Sequence, residues 1–163
     1  MDIEERTMLI RELKTDEAGI LKDFLYEAIF IPEGVEPPER SIVELPELRM
    51  YYEDFGSGRA DVCLVAEDGG RVVGAAWTRI MNDYGHVDDE TPSFAISLYR
   101  EYRGRGAGTR LMKGMTGLLR TKGFRRASLA VQKANKAAIR VYEKVGFSIV
   151  DENAEEYIMV CDL

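Results

Sequence analysis

A glycine-rich turn is the part of this sequence whose residues could most directly bind a charged ligand. Within Tyr102–Leu111, glycine occupies every second position of one stretch: Gly104, Gly106 and Gly108. Glycine has no side chain to shield its neighbours, so backbone N–H groups there can approach a ligand closely. Positive charge is added by Arg103, Arg105 and Arg110. A helix predicted to begin at this turn would also direct its positive dipole end there, so we expect the turn to bind phosphate oxygens.

Two other glycine-rich motifs do not fit the spacing. The dinucleotide fingerprint needs its third glycine further along, near Arg110, and the P-loop needs a Gly-Lys-Ser/Thr that is absent after Gly108. The turn also lies in the second half of the chain rather than in a first βα unit. A nucleotide-dependent oxidoreductase is therefore disfavoured. A plain strand-to-helix turn without a ligand stays open as an alternative.

A second marked segment, Asn135–Phe147, begins 27 residues after Gly108. Asn135 and Tyr142 are seven positions apart, close to two helical turns, so they share one face of a predicted helix. An apolar stripe on the neighbouring face would pack on a sheet: Ala138, Val141 and Val145. The ordinary alternatives are a packed tyrosine with its hydroxyl in water and a polar residue at a helix N-terminus.

The pattern of apolar residues and turn formers predicts seven strands and four helices in one domain spanning residues 1–163. The strands are Thr7–Leu13, Asp61–Glu67, Arg71–Ile80, Ser93–Tyr99, Arg126–Val131, Phe147–Val150 and Tyr157–Cys161. The helices are Asp16–Phe30 with Thr15 as N-cap, about Glu39–Asp54 split by Pro46, Gly106–Lys122, and Ala134–Val145. A helical crossover between the fourth and fifth strands favours their parallel pairing, and thus an α/β (α+β mixed) fold with helices flanking a mixed sheet.

The bulk composition narrows the class of protein. A net charge of −7 argues against binding to nucleic acid. The apolar run Val72–Trp77 is far too short to cross a membrane, and the acidic N-terminus has no secretory signal, so we expect a cytoplasmic protein. Cys63 and Cys161 are predicted to be buried reduced thiols, with a disulfide or a reactive thiol as alternatives.

The two motifs together resemble those of the GNAT acetyltransferase family. Arg103–Gly108 is similar to the family's acetyl-CoA-binding motif, Arg/Gln-x-x-Gly-x-Gly/Ala, and Val131–Phe147 is similar to its second motif. One departure is Arg100, where the family often has a proline. The resemblance implies a GNAT-like mixed sheet of about seven strands with about four flanking helices, whose two central parallel strands splay apart.

The resemblance also implies a set of residues that contact acetyl-CoA. Turn residues would bind the diphosphate, the freed strand edge would pair with pantetheine, and the second motif would contact it from a helix. The implied residues are Ile96, Ser97, Leu98, Arg103, Gly104, Arg105, Gly106, Ala107, Gly108, Thr109, Asn135, Ala138 and Tyr142. A backbone N–H in Ile96–Leu98 would polarise the thioester carbonyl, and Tyr142 would be the general acid that protonates the leaving thiolate.

An amine acceptor must lose a proton before it can attack the thioester. A primary amine is unprotonated in only about one molecule in 2,500 at neutral pH. Glu90 is the first candidate for the general base and His86 the second, as a relay, with a solvated acidic loop or a backbone-held water as alternatives. The His-x-Asp spacing offers too few ligands for a metal, so none is expected. The acceptor pocket is predicted among Glu33, Glu36, Tyr51, Tyr52, Trp77 and Arg79.

These expectations describe an acetyl-CoA-dependent N-acetyltransferase. The acetyl group would pass by direct attack to a primary amine of a small molecule, peptide or protein, because no Ser or Cys stands beside a base in a nucleophile pattern. The alternative is a non-catalytic acetyl-CoA-binding sensor or interaction module. An exposed C-terminal hairpin would be compatible with a homodimer.

Overall fold

The computed structural model describes residues 8–163 and contains seven strands and four α-helices. The strands are β1 (Leu9–Glu12), β2 (Val62–Asp68), β3 (Arg71–Arg79), β4 (Ser93–Leu98), β5 (Arg126–Gln132), β6 (Ser148–Glu152) and β7 (Glu156–Asp162). The α-helices are α1 (Ile20–Ala28), α2 (Pro46–Arg49), α3 (Ala107–Thr121) and α4 (Lys136–Val145). Short 3₁₀ helices cover Thr15–Glu17, Arg40–Glu44 and Arg100–Tyr102.

All seven strands form one mixed sheet in the order β1-β2-β3-β4-β5-β7-β6. The pairing of β4 with β5 is parallel, whereas the other five pairings are antiparallel. Parallel neighbours need a crossover connection, and α3 supplies it. The predicted fold class, a mixed sheet of seven strands with four helices, is confirmed.

The two parallel strands separate almost as soon as they meet. Ser93 of β4 pairs with Ser128 of β5, and the Ser128 N–H donates to the Pro92 carbonyl at 2.9 Å. No further β4–β5 pairing occurs toward Leu98 and Gln132 in the part of the chain that the structure describes. The strands therefore open a cleft whose base is the Ser93–Ser128 pair, as the splay prediction required.

Helices cover both faces of the sheet and bury two separate apolar clusters. The α3 face carries α3 and α4, and its cluster includes Phe94, Leu111 and Phe147. The α1 face carries α1 and α2, and its cluster includes Phe24 and Trp77. Side chains alternate along a strand, so consecutive residues of β4 point to opposite faces of the cleft.

Two helix predictions differ from the structure, and one predicted strand boundary is not tested by it. Thr15 does not cap α1, because the Glu17 carboxylate accepts the Lys14 N–H at 2.8 Å and folds Thr15–Glu17 into a 3₁₀ turn. The predicted helix over 39–54 is a 3₁₀ helix, the four-residue α2 and turns, because Pro46 can start a helix but cannot continue one. Thr7, the predicted start of β1, lies outside the described residues.

Two smaller expectations also have a structural outcome. Cys63 and Cys161 are both buried and free, as predicted. None of the helices in residues 8–163 combines the length and the apolar character needed to cross a membrane.

Candidate active site

The glycine-rich turn joins the end of β4 to the start of α3 in a conformation that requires glycine. Gly104 has a φ of 76° and Gly106 a φ of 83°, both in the left-handed region that other L-residues rarely adopt. Gly106 is the residue that precedes α3, and no described side chain caps the helix there. The turn thus leaves the positive end of a 15-residue helix without a ligand from the described part of the chain.

Six consecutive backbone N–H groups at this turn have no acceptor among residues 8–163. The Arg103 N–H donates to Arg100 at 3.2 Å, and the next paired N–H is that of Arg110, which donates to Gly106 at 3.1 Å. The unpaired groups between them belong to Gly104, Arg105, Gly106, Ala107, Gly108 and Thr109. We call these six residues the amide cradle. Unpaired N–H groups at a helix start are suited to an anion such as a diphosphate.

The arginines near the cradle divide into two groups. Arg103 is anchored, because its Nε donates to the Leu98 carbonyl at 2.9 Å and its guanidinium contacts the Glu27 carboxylate at 3.3 Å. Arg103 therefore ties the turn to β4 and to α1. By contrast, no described carboxylate forms a salt bridge with Arg105 or Arg110, so their charge remains available to a ligand.

The edge of β4 that faces the cleft begins next to the cradle. The Pro92 carbonyl accepts a hydrogen bond from β5, and the Tyr99 N–H donates one to β3. Because the backbone hydrogen-bonding groups of a strand point alternately to its two sides, those of Ile96 and Leu98 point into the cleft. Ser97 instead directs its backbone toward β3, and its hydroxyl donates to the Phe24 carbonyl at 2.6 Å. Of the three β4 residues predicted to contact the cofactor, Ile96 and Leu98 thus have N–H groups that face the splay.

Asn135 and Tyr142 lie on α4, which follows β5 on the α3 face. The Asn135 side chain caps the helix by accepting the Ala138 N–H at 3.3 Å, so Asn135 and Ala138 are joined at the start of α4. The Tyr142 ring is half-buried, and its hydroxyl has no hydrogen-bond partner among the described residues. Desolvation raises the pKa of Tyr142 to about 12, so the phenol stays protonated at neutral pH.

A chain of aromatic rings relates Tyr142 to the base of the cleft. The Tyr142 and Phe147 ring centroids are 6.2 Å apart, and those of Phe147 and Phe94 are 5.9 Å apart. Phe94 follows Ser93, the last residue that pairs with β5. Tyr142 therefore lies on the α3 face of the sheet, close to the point where β4 and β5 separate.

A family model for acetyltransferases of the GNAT family matches residues 25–147, which include the cradle, the cleft strands and α4. The chain belongs to the GNAT acetyltransferase family. The match spans both motifs on which the resemblance was based.

Solved GNAT structures share the whole architecture of this chain. A phosphinothricin acetyltransferase from Sinorhizobium meliloti, solved with acetyl-CoA, superimposes with a TM-score of 0.69 at 19% identity over 97% of this chain and 89% of that one. The PaiA N-acetyltransferase from Thermoplasma acidophilum, solved with coenzyme A, gives a TM-score of 0.68 at 19% identity over 97% of this chain and 100% of that one. At these identities the likeness concerns the fold.

Curated relatives of the chain carry acetyltransferase names. A mycothiol acetyltransferase from Thermobispora bispora is 33% identical over 112 residues, 68% of this chain and 38% of that protein. The uncharacterized N-acetyltransferase YobR from Bacillus subtilis is 40% identical over 74 residues, 45% of this chain and 28% of that protein. The chain thus spans only 28% to 38% of the length of these two relatives.

The two predicted candidates for the general base lie in different surroundings within this GNAT domain. The Glu90 side chain is 85% exposed and contacts Arg59 at 3.1 Å, on a surface that it shares with Gly123–Arg126 beyond the end of α3. The structure therefore does not bring Glu90 to the splay. His86 lies closer to the cleft: its backbone donates to the Asp83 carbonyl at 3.1 Å, and its Nε2 contacts Asp89 at 3.2 Å.

A carboxyl group that sequence reasoning missed lies at the base of the cleft. Asp83 Oδ1 accepts the Ser93 hydroxyl at 3.0 Å, and Asp83 Oδ2 accepts the Tyr51 hydroxyl at 3.0 Å. Desolvation raises the pKa of Asp83, although both hydrogen bonds lower it. In the sequence, Asp83 is one of several acids in the loop between β3 and β4, and only its tertiary contacts distinguish it.

The six residues predicted to line the acceptor pocket have different positions. Tyr51 reaches the Asp83 carboxyl, whereas Trp77 is fully buried and donates its Nε1–H to the Tyr51 carbonyl at 2.8 Å. Arg79 forms a two-pronged ion pair with Asp61 at 3.0 and 3.1 Å, and Tyr52 donates to the Val43 carbonyl. Glu33 and Glu36 lie exposed in the loop after α1.

Proposed function

We propose that this chain transfers the acetyl group of acetyl-CoA to a primary amine by direct attack. The observation that carries this proposal is the amide cradle, six N–H groups without an acceptor among the described residues, at the mouth of a cleft between splayed parallel strands. A dianionic diphosphate fits such a cradle, since each charge-assisted hydrogen bond contributes about 1.5–3 kcal/mol. The acetyltransferase names of its relatives point to the same reaction.

Each element of the cleft has a role in the proposed reaction. The cradle binds the diphosphate, and Arg105 and Arg110, which pair with no described carboxylate, add positive charge beside it. The N–H groups of Ile96 and Leu98 face the cleft and are available to an extended pantetheine chain, as an added strand would use them. Bound acetyl-CoA supplies the thioester carbonyl that the amine attacks, and an N–H of β4 is placed to stabilise negative charge on that oxygen.

Tyr142 is the proposed general acid on the α3 face. Its hydroxyl has no competing partner among the described residues, and its high pKa keeps the phenol protonated at neutral pH, so that it can donate its proton as the thiolate leaves. Asn135 stands two turns earlier on the same helix, and its amide nitrogen is left available while its oxygen caps the helix. Asn135 and Ala138 are the proposed contacts of the helix with pantetheine.

Direct attack is favoured over an acyl-enzyme route by the state of the two thiols. Both Cys63 and Cys161 are buried, and desolvation raises the pKa of each thiol. A thiol acts as a nucleophile in its thiolate form, so neither cysteine is prepared to accept the acetyl group.

Acetyl-CoA should stabilise the fold strongly. At about 100 times its Kd, a ligand that binds only the native state adds about 2.7 kcal/mol. For a domain of this size that corresponds to a rise in Tm of about 5–10 °C. We expect this shift in a thermal melt with acetyl-CoA and no shift with NADH. An equal shift with NADH, or none with acetyl-CoA, would contradict the assignment of the cradle.

Turnover separates an enzyme from a binding module. Release of free thiol should accompany incubation with acetyl-CoA and a set of primary amines that includes monoamines, diamines and short peptides. Mass spectrometry should then find the acetylated amine. A protein that binds acetyl-CoA but acetylates none of them would instead be a sensor.

A further inference from the structure

We propose that Asp83, and not Glu90, is the general base that takes the proton from the acceptor, and that the acceptor enters the α1 face of the cleft as a cation. This inference rests on the proposed acetyl transfer. It assigns a residue and an entry face that neither the family match nor the relatives specify.

The position of Asp83 suits a general base at the point where β4 and β5 separate. Its two hydrogen bonds, from Ser93 and Tyr51, place the carboxyl beside the last pair of residues that joins β4 to β5. Ser93 points to the α1 face, whereas the next residue, Phe94, belongs to the aromatic chain that leads to Tyr142 on the α3 face. Asp83 and Tyr142 thus approach the same level of β4 from opposite sides of the sheet.

The loop that carries Asp83 is held firmly against β5. The Ser128 hydroxyl donates to the Gly85 carbonyl at 2.7 Å. A Cβ at Gly85 would lie 3.0 Å from the Ala130 nitrogen and 3.1 Å from the Leu129 carbonyl carbon, so the loop backbone packs directly on the strand. On the other side, the Trp77 indole fixes the Tyr51 backbone. A base needs such a fixed position to meet its proton donor.

The charges around Asp83 favour a cationic ligand. The titratable groups that face it are Tyr51 from the turn after α2, His86 from its own loop and Glu156 from β7. No described Lys or Arg forms a salt bridge with Asp83 or Glu156. Burial raises the pKa of both carboxyls, and the charges of Glu155 and Asp83 raise that of Glu156 further. An ammonium group beside these carboxylates would offset their repulsion.

The carboxyl retains the capacity to accept a proton. Each carboxylate oxygen has two lone-pair sites, and each Asp83 oxygen uses one for a hydroxyl. In the proposed step Asp83 removes one proton from the ammonium, and the freed lone pair forms the C–N bond to the acetyl carbon. The C–S bond breaks with its electron pair on sulfur, and Tyr142 protonates that sulfur. The second proton leaves the nitrogen and reprotonates Tyr142 through water. Asp83 passes its proton to solvent.

The test compares Asp83→Asn with Glu90→Gln, a matched change of another acid in the same loop. We expect Asp83→Asn to lower kcat/KM by about 10²-fold, the usual scale for loss of a general base. Glu90→Gln should stay within about threefold of wild type, because its side chain is solvated. In wild type, kcat/KM should fall at low pH as Asp83 becomes protonated, and Asp83→Asn should lose that limb.

Two further readouts separate a base from a structural role. A β,β-difluorinated analogue of the accepted amine has a lower ammonium pKa, so it should lose much less rate in Asp83→Asn. Tyr51→Phe removes a hydrogen bond that lowers the pKa of Asp83, so it should move the acid limb to higher pH. Tyr51→Phe keeps the proposal testable even if Asp83→Asn does not fold.

A titration without acetyl-CoA tests the site independently of turnover. Carboxyl ¹³C NMR of the ligand-free protein identifies the Asp83 resonance as the one absent from Asp83→Asn. Its pKa should lie above the ordinary aspartate range and should fall when a primary amine is added. An ordinary pKa that no amine changes would overturn the proposal. So would wild-type kinetics in Asp83→Asn with loss of activity in Glu90→Gln. If wild type acetylates no amine but this resonance responds, only the proposed function fails.

Discussion

Replacing Tyr142 with phenylalanine should lower kcat by about 10²-fold and leave acetyl-CoA affinity within twofold of wild type. The substitution removes a hydroxyl that makes no hydrogen bond to any described residue, while the ring keeps its contact with Phe147. Stability should therefore change little, because the substitution removes no hydrogen bond to a described residue. Steady-state thiol release and calorimetric titration with acetyl-CoA measure the two quantities.

Tyr157→Phe is the matched control for Tyr142→Phe. Tyr157 is also half-buried against the apolar cluster of the α3 face, but it lies on β7, where its ring faces Lys133. Loss of the Tyr157 hydroxyl should change kcat by less than about twofold. Undiminished turnover in Tyr142→Phe would exclude Tyr142 as the general acid. A parallel loss of acetyl-CoA binding would mean that the hydroxyl holds the cofactor instead.

Substitutions at Gly106 should weaken acetyl-CoA binding in an order set by backbone conformation. Alanine in the left-handed region costs about 1–2 kcal/mol, and a turn that relaxes to avoid this cost no longer aligns its N–H groups. We therefore expect Gly106→Ala to raise Kd by about 5–30-fold, valine to raise it further and asparagine to raise it less. Asparagine is larger than alanine but tolerates positive φ better, so this order distinguishes backbone strain from side-chain bulk.

Gly117→Ala provides the control for this series. Gly117 lies inside α3, and no atom of residues 8–163 outside its own helix backbone lies within 4 Å of the Cβ that alanine would add. Alanine there should stabilise the helix by about 0.5–1 kcal/mol without a change in Kd. If Gly106→Asn binds more weakly than Gly106→Ala, bulk rather than conformation controls the site, and the geometric argument for the cradle fails.

The cradle could be predicted from sequence because its chemistry is local. Alternating glycines before a helix specify a turn with positive φ, and Gly104 and Gly106 both have it. Asn135 and Tyr142 belong to one helix, so their spacing alone places them on one face. The crossover through α3 likewise predicted the parallel pairing, and the splay was implied by the resemblance to the family.

Asp83 could not be recognised in the same way. Its two partners are 32 and 10 residues away in the chain, and its place at the cleft depends on how one loop packs on β5. Glu90, in contrast, is a carboxylate close to the start of β4 in sequence, yet its side chain is exposed beside Arg59. Proximity in sequence therefore favoured an acid that the fold directs elsewhere.

The helix predicted over 39–54 shows a similar limit. Pro46 was expected to split one helix, but tertiary bonds decide the conformation of the residues after α2: Arg79 binds the carbonyls of Met50 and Glu53, and Trp77 binds that of Tyr51. These bonds hold the segment as turns and aim Tyr51 at Asp83. Local propensity alone does not report contacts made by a strand residue 26 to 29 positions later.

A crystal structure of the protein with acetyl-CoA tests the central claim most directly. We expect diphosphate oxygens within hydrogen-bond distance of several backbone nitrogens of Gly104–Thr109, with the pantetheine chain along the Ile96–Leu98 edge of the cleft. A cofactor bound elsewhere, with the amide cradle filled by side chains of the protein, would contradict it.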